Sequence, residues 1–156
     1  MDREARTEAG QGLIRPLRTA DLADCLDLDR RALGGLWNEN QWQRELAEEN
    51  RPGLGIWQAA DLRAMACGWL ILDELHITVV AVDPAFRRRG LGRGVLAGLL
   101  AHGQAAGARH ATLEVAVPNE AAKGLYTAAG FQEAGIRRAY YRNGDDALIQ
   151  WLKLAP

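Results

Sequence analysis

The stretch Val80-Ala81-Val82-Asp83-Pro84-Ala85-Phe86-Arg87-Arg88-Arg89-Gly90-Leu91-Gly92-Arg93-Gly94 decides the fold. It opens as the end of a β-strand, and Leu91, Val95, Leu96, Leu99 and Leu100 continue it with the spacing of an amphipathic helix. A turn rich in arginine and glycine thus joins a strand to a helix N-terminus, where free N–H groups and the positive end of the helix dipole point outward together. Glycines let backbone close around an anion without Cβ obstruction, and guanidinium groups complement phosphate oxygens. The ligand so indicated carries phosphate. A P-loop would need Lys-Ser/Thr after its last glycine, where Arg93-Gly94-Val95 stands. A Rossmann fingerprint would need glycine or alanine at Val95 and an opening strand of a parallel sheet.

Upstream, Leu13–Arg18 reads as a strand, with Pro16 suited to an edge. Thr19 is placed to cap a helix through Leu22, Cys25, Leu26, Ala32 and Leu33, stopped by Gly34-Gly35. Asn38, with Gln41 three residues on, makes a capping box for a second helix to about Asn50, and Trp37 against Trp42 makes its hydrophobic staple. Three strands follow, Gly55–Ala60, Ala64–Leu72 and Leu75–Val82, with turns at Asp61-Leu62-Arg63 and Asp73-Glu74. Downstream of the helix that ends near Gly107, Ala111–Val117 is a strand with Leu113, Val115 and Val117 on one face and Thr112, Glu114 and Ala116 on the other. Asn119 caps a short helix closed by Gly130, and the strands Phe131–Ala139 and Ala147–Leu154 complete the chain. A meander followed by a βαβ crossover implies an α/β (α+β) fold with a mixed sheet and helices on both faces.

The 156 residues suit a single domain over residues 13–156 after a flexible tail over residues 1–12. Hydrophobic residues at 48% and charged residues at 25% are those of a globular protein. No apolar run reaches a membrane span and the first residues lack the core of a signal peptide, so a cytoplasmic protein without a membrane partner is expected. Of 19 basic side chains only Lys123 and Lys153 are lysines, leaving 17 arginines to match 17 glycines. Net charge is −1 and the arginine cluster is confined to one turn without interleaved aromatics, which argues against direct nucleic-acid binding. Cys25 and Cys67 have no metal-site spacing and read as core residues. His76, His102 and His110 lie on different elements and are expected to pack or face solvent, and no metal is expected.

The motif Arg87-x-x-Gly90-x-Gly92 after such a strand resembles the hallmark of the GNAT superfamily of acetyl-CoA-dependent N-acetyltransferases, whose element order also matches nearly the whole chain. The resemblance implies a mixed, mostly antiparallel sheet of six to seven strands flanked by about four helices. It implies acetyl-CoA as co-substrate, held by Arg88, Arg89, Gly90, Leu91, Gly92 and Arg93 at the pyrophosphate and by Val80, Ala81, Val82, Asn119 and Tyr126 along the pantetheine arm. Strand-like pairing with a ligand that carries amides is the physical basis of the latter. Leu113-Glu114-Val115, Asn119, Leu125-Tyr126, Gly130-Phe131 and Ile136-Arg137-Arg138-Ala139-Tyr140-Tyr141 resemble more closely the RimI group, which acetylates the N-terminal alanine of a small-subunit ribosomal protein. That resemblance implies Glu114 as general base and Tyr126 as general acid, with Trp37, Tyr140 and Tyr141 flanking the acceptor peptide. Ala116 departs from the group, where an arginine is usual. Direct attack in a ternary complex is expected, since neither cysteine falls on a motif. The expected partner is the N-terminal peptide of a ribosomal protein, bound by a monomer or weak dimer. The alternatives are another protein N-terminus or a small amine as acceptor, or a non-catalytic acyl-CoA- or RNA-binding module.

Overall fold

A computed structural model describes residues 5–6 and 12–154. Its strands are β1 (Ala5–Arg6), β2 (Leu13–Pro16), β3 (Gly53–Gln58), β4 (Asp61–Ile71), β5 (Glu74–Val82), β6 (His110–Ala116), β7 (Gln132–Arg137) and β8 (Ala147–Lys153). The helices are α1 (Leu22–Leu33), α2 (Glu39–Ala47), α3 (Leu91–Ala105) and α4 (Glu120–Ala128). The tail expected over residues 1–12 lies outside the described residues except for Gly12 and the two-residue strand β1, which pairs with β2. One sheet runs in the order β1-β2-β3-β4-β5-β6-β8-β7, and within it only β5 and β6 are parallel, joined through α3. This is the mixed, mostly antiparallel sheet with four helices that the resemblance implies, with the two-residue β1 added at the edge of the seven strands expected.

Two apolar clusters divide the molecule. Val95, Leu96 and Leu99 of α3 join Leu113, Val115, Leu148 and Tyr126 on one side of the sheet. Cys25, Leu28 and Trp42 from α1 and α2 join Met65, Cys67, Val79 and Ala81 on the other. Both cysteines are buried and free, as their isolation in the sequence predicts. Asp29 ties α1 to the chain beyond it: its carboxylate accepts from Leu36 N, Trp37 N and the Trp42 indole at 2.7, 3.0 and 2.7 Å. The Asn38–Gln41 capping box forms, and Trp37 meets Trp42 edge-on at 4.9 Å.

Three local expectations are corrected. Thr19–Asp21 is a turn of 3-10 helix, and Asp21 rather than Thr19 gathers the local donors, accepting from Arg18 N and, through both oxygens, from Arg15. The β3–β4 turn falls at Ala59-Ala60 and the β4–β5 turn at Leu72-Asp73, both shifted toward the N-terminus of the aspartates that signalled them. Ala59, Ala60 and Leu72 have φ of 50°, 71° and 56°, the positive angles a tight hairpin demands but which usually call for Gly or Asn. The sheet's hydrogen-bonding register overrides that preference. Finally, β7 stops at Arg137, because Ala139 turns to φ 49° and donates its N–H to Asp146.

The feature that positions the site is a bulge in β5. Cys67 pairs with Val79 but Gly68 pairs with Ile77, so Thr78 is supernumerary. Leu75 and Ile77 therefore pack with α3, whereas Val79 and Ala81 pack with α1 and α2. Beyond His76 the strand also leaves its parallel neighbour: β5 and β6 pair only at Glu74/His110, Leu75/Ala111 and His76/Thr112.

Candidate active site

Where β5 parts from β6, a cleft of about 910 Å³ opens, floored by Val80, Ala81 and Val82 and walled by Asn119, Leu125 and Tyr126 of α4 and its cap. Its mouth is the arginine–glycine turn. Arg88 and Gly90 both take positive φ, 64° and 81°, the kind of backbone conformation from which anion-binding nests of N–H groups are built. Gly90 is the N-cap of α3 and no side chain caps this helix, leaving its first amides for a ligand. A Cβ on Gly92 would stand at ordinary contact distance from Val82 and Leu125, 3.4 and 3.5 Å, so this turn of α3 lies directly against both walls of the cleft. Uncapped helix donors, beside arginines and a strand whose β6-facing edge is unpaired, fit a pyrophosphate joined to an amide-bearing arm.

The arginines of the turn divide. Arg87, Arg88 and Arg93 line the cleft, as do Gly90, Leu91 and Gly92. Arg87 also donates to the Ala32 carbonyl at the end of α1. Arg89 lies over the Phe86 ring at 4.9 Å and is not among the lining residues. Asn119 caps α4, accepting from Ala122 N at 3.1 Å, so a bound amide would share or displace that bond. Tyr126 is 8% exposed with its ring against Phe131. Burial, and secondarily the Tyr141 phenol, pushes the Tyr126 hydroxyl up to about 12, so it stays protonated at any physiological pH.

Glu114 stands on the opposite side of the sheet. Leu113 and Val115 point to the α3 cluster, so strand alternation turns Glu114 toward the face that carries α1 and α2. There its Oε2 lies 2.7 Å from His76 Nε2, and its Oε1 lies 3.8 Å from Arg137 Nε. Tyr141 is close enough for the Glu114 charge to act on it: burial first, then Tyr140 and Glu114, raises the Tyr141 phenol. Tyr140 and Tyr141 meet edge-on at 5.0 Å, and Tyr140 is exposed. Trp37 is half-buried in its staple with Trp42, and neither it nor the two tyrosines lines the cleft.

His76 is the residue the sequence reading missed. It is not a bystander but the partner of Glu114, because β5 and β6 place His76 opposite Thr112, two residues before Glu114 on the same face. The available signal was the outward alternation of His76 and Glu114 on two strands joined by a crossover. The register that brings them together was not readable. A second such pair lies one step along the seam, His110 with Glu74 at 3.4 Å. Among the described residues no group of three His, Cys, Asp or Glu could hold a metal ion, and no helix is long and apolar enough to cross a membrane.

The model of the acetyltransferase (GNAT) family matches residues 22–131. The chain belongs to this family. As a GNAT acetyltransferase it is similar over most of its length to characterised relatives. It is 34% identical over 145 residues to the [ribosomal protein bS18]-alanine N-acetyltransferase of Escherichia coli (strain K12), covering 91% of this chain and 97% of that one. It is 34% identical over 141 residues to the N-alpha-acetyltransferase RimI of Mycobacterium tuberculosis (strain ATCC 25618 / H37Rv), covering 86% and 87%. The crystal structure of the ribosomal-protein-S18-alanine N-acetyltransferase from Escherichia coli superposes with a TM-score of 0.81 at 31% identity, covering 100% of this chain and 96% of that one.

Proposed function

We propose that the protein transfers the acetyl group of acetyl-CoA to the N-terminal α-amine of a ribosomal protein that begins with alanine, by direct attack in a ternary complex in the cytoplasm. The acceptor class follows the E. coli relative, which matches across nearly the full length of both chains. The observation that carries the chemistry is the parting of β5 from β6 between Tyr126 in the cleft and Glu114 on the other side of the sheet. Strands that part there would let an acyl donor on one face and an amine on the other meet between them.

Acetyl-CoA supplies an activated acetyl thioester when bound. Gly90, Leu91 and Gly92, with Arg88 and Arg93, would hold its pyrophosphate, while the backbone of Val80–Val82 and Asn119 would hold its amides. Glu114 accepts the proton of the incoming ammonium, directly or through one water, and His76 fixes the carboxylate by donating to Oε2. Removing a proton from an α-amine of pKa about 7.7–8.0 costs about 1–1.4 kcal/mol at pH 7, against about 4.6 kcal/mol for lysine. The first is the easier task for a carboxylate. Tyr126, held protonated by burial, donates a hydrogen bond to the charge that develops on the departing sulfur. That hydroxyl would then act as the general acid, giving its proton to the departing thiolate. Trp37, Tyr140 and Tyr141 would flank the acceptor chain.

Mass spectrometry of an alanine-initiated ribosomal peptide incubated with acetyl-CoA and the protein tests the reading, with a polyamine and an aminoglycoside as competing acceptors. A mass gain confined to the peptide α-amine is expected. Preferential acetylation of either small amine would overturn the acceptor assignment.

A further inference from the structure

Glu45 is a charged group the mechanism does not use. It sits on α2 at 2% exposure, near Cys67 and on the side of the sheet that carries Glu114. Its Oε1 accepts from the Trp69 indole at 2.9 Å and from Arg51 at 3.4 Å, and its Oε2 has no hydrogen-bond partner among the described residues. Desolvation raises its pKa above the usual carboxylate range, only partly countered by Trp69 and Arg51. For packing alone an apolar residue would serve α2 better, since a half-satisfied buried carboxylate is a net cost. Asp29 on α1 shows the contrast, with three donors on its carboxylate.

What Glu45 holds is the indole of Trp69. Trp69 is the cross-strand partner of His76, and the two rings meet edge-on at 6.3 Å and 83°. The Arg51 guanidinium covers the indole at 4.5 Å. His76 in turn contacts Glu114 at 2.7 Å. A continuous file of contacts thus runs from α2 through β4 and β5 to the carboxylate on β6. A ring locked by a hydrogen bond leaves its neighbour fewer orientations, and catalytic groups tolerate little slack.

We propose that Glu45 is a positioning residue for the His76–Glu114 pair, acting by fixing the Trp69 indole against the His76 ring. The assignment rests on Glu114 being the base, and its test reads coupling to His76 separately. The measurement is a double-mutant cycle in the full chain, with kcat and both KM values for E45A, H76N and E45A/H76N, and E45Q as the conservative variant. E45A is expected to lower kcat about tenfold while the acetyl-CoA KM stays within about twofold. E45Q, whose amide oxygen can still accept from the indole, is expected to restore kcat to within about twofold of wild type. In the H76N background E45A is expected to cost less than about twofold, because the group it acts through is gone. An undiminished loss in that background overturns the proposal, as does a wild-type kcat in E45A or in H76N. If E45A does not fold, W69F takes its place in the same cycle, removing the indole N–H while a phenyl ring fills most of the space. Near-wild-type turnover in E114Q with the cycle still coupled would instead sink the base assignment and leave the contact file standing.

Discussion

The two sides of the β5–β6 seam are built by different means. On the α3 side the cleft offers mainly backbone: the uncapped amides of α3, the positive-φ residues Arg88 and Gly90, and the edge of Val80–Val82 that β6 leaves unpaired while β4 pairs the other. On the α1 and α2 side the seam is lined with side chains, Glu114, His76, Arg137 and Tyr141, drawn from four separate segments. Backbone recognition depends on local conformation, which glycine spacing encodes. Side-chain recognition depends on register between distant strands, which no short motif encodes.

The largest effect expected to sharpen this division is on the side-chain face. Glu114→Gln should lower kcat by roughly 10²–10⁴-fold, the usual worth of a positioned base, with the acetyl-CoA KM unchanged. Steady-state rates across pH 6–9 check it; turnover near wild type throughout would remove Glu114 from the chemistry. Tyr126→Phe deletes one hydrogen bond to developing charge, worth about 1.5–3 kcal/mol, or roughly 10- to 100-fold in single-turnover rate. An unchanged single-turnover rate would leave the phenol as packing alone.

A backbone-side change should behave differently. Gly90→Ala places a Cβ on a residue at φ 81°, a strain of about 1–2 kcal/mol. If the amides it orients hold the cofactor, the acetyl-CoA KM rises roughly 5- to 30-fold while kcat at saturation survives. A fall in kcat with unchanged KM would break the distinction between the two faces.

The smallest effects concern stability, and two buried carboxylates oppose each other in sign. Burial disfavours the Asp83 charge, but the Ala85 N–H, Arg31 and Arg63 outweigh it and hold the group below the usual carboxylate range. Its contribution is therefore present above the unfolded pKa near 4 and is lost as pH falls through the lower folded value. Glu45, raised by desolvation, runs the other way: its contribution is present at low pH and is lost as pH rises through the folded value. Asp83→Asn should lower Tm at pH 7 and converge with wild type toward pH 3. Glu45→Gln should leave Tm at pH 7 no lower than wild type, as differential scanning calorimetry would show.

How far the sequence could be read follows the same division. The Arg87–Gly94 turn, the strand before it and the cap at Asn119 were legible because each is a local pattern. The His76–Glu114 contact was not, because it requires the parallel register of strands more than thirty residues apart, |i−j| = 38. The hairpin turns slipped because Ala59, Ala60 and Leu72 carry positive φ without any glycine to announce it. Arg89 illustrates a third limit: four arginines share one turn, but which of them faces the cleft depends on whether Phe86 offers a ring to cover.

Thr78, the supernumerary residue of β5, reverses the parity of the strand. Before it an even number means the face that carries α1 and α2, as at His76; after it an even number means the face that carries α3, as at Val80 and Val82. Two substitutions four residues apart, at His76 and Val80, thus fall on opposite faces of the sheet although simple alternation would assign them to one. Deleting Thr78 would undo this division of labour, presenting the valines that floor the cleft to the wrong side of the sheet.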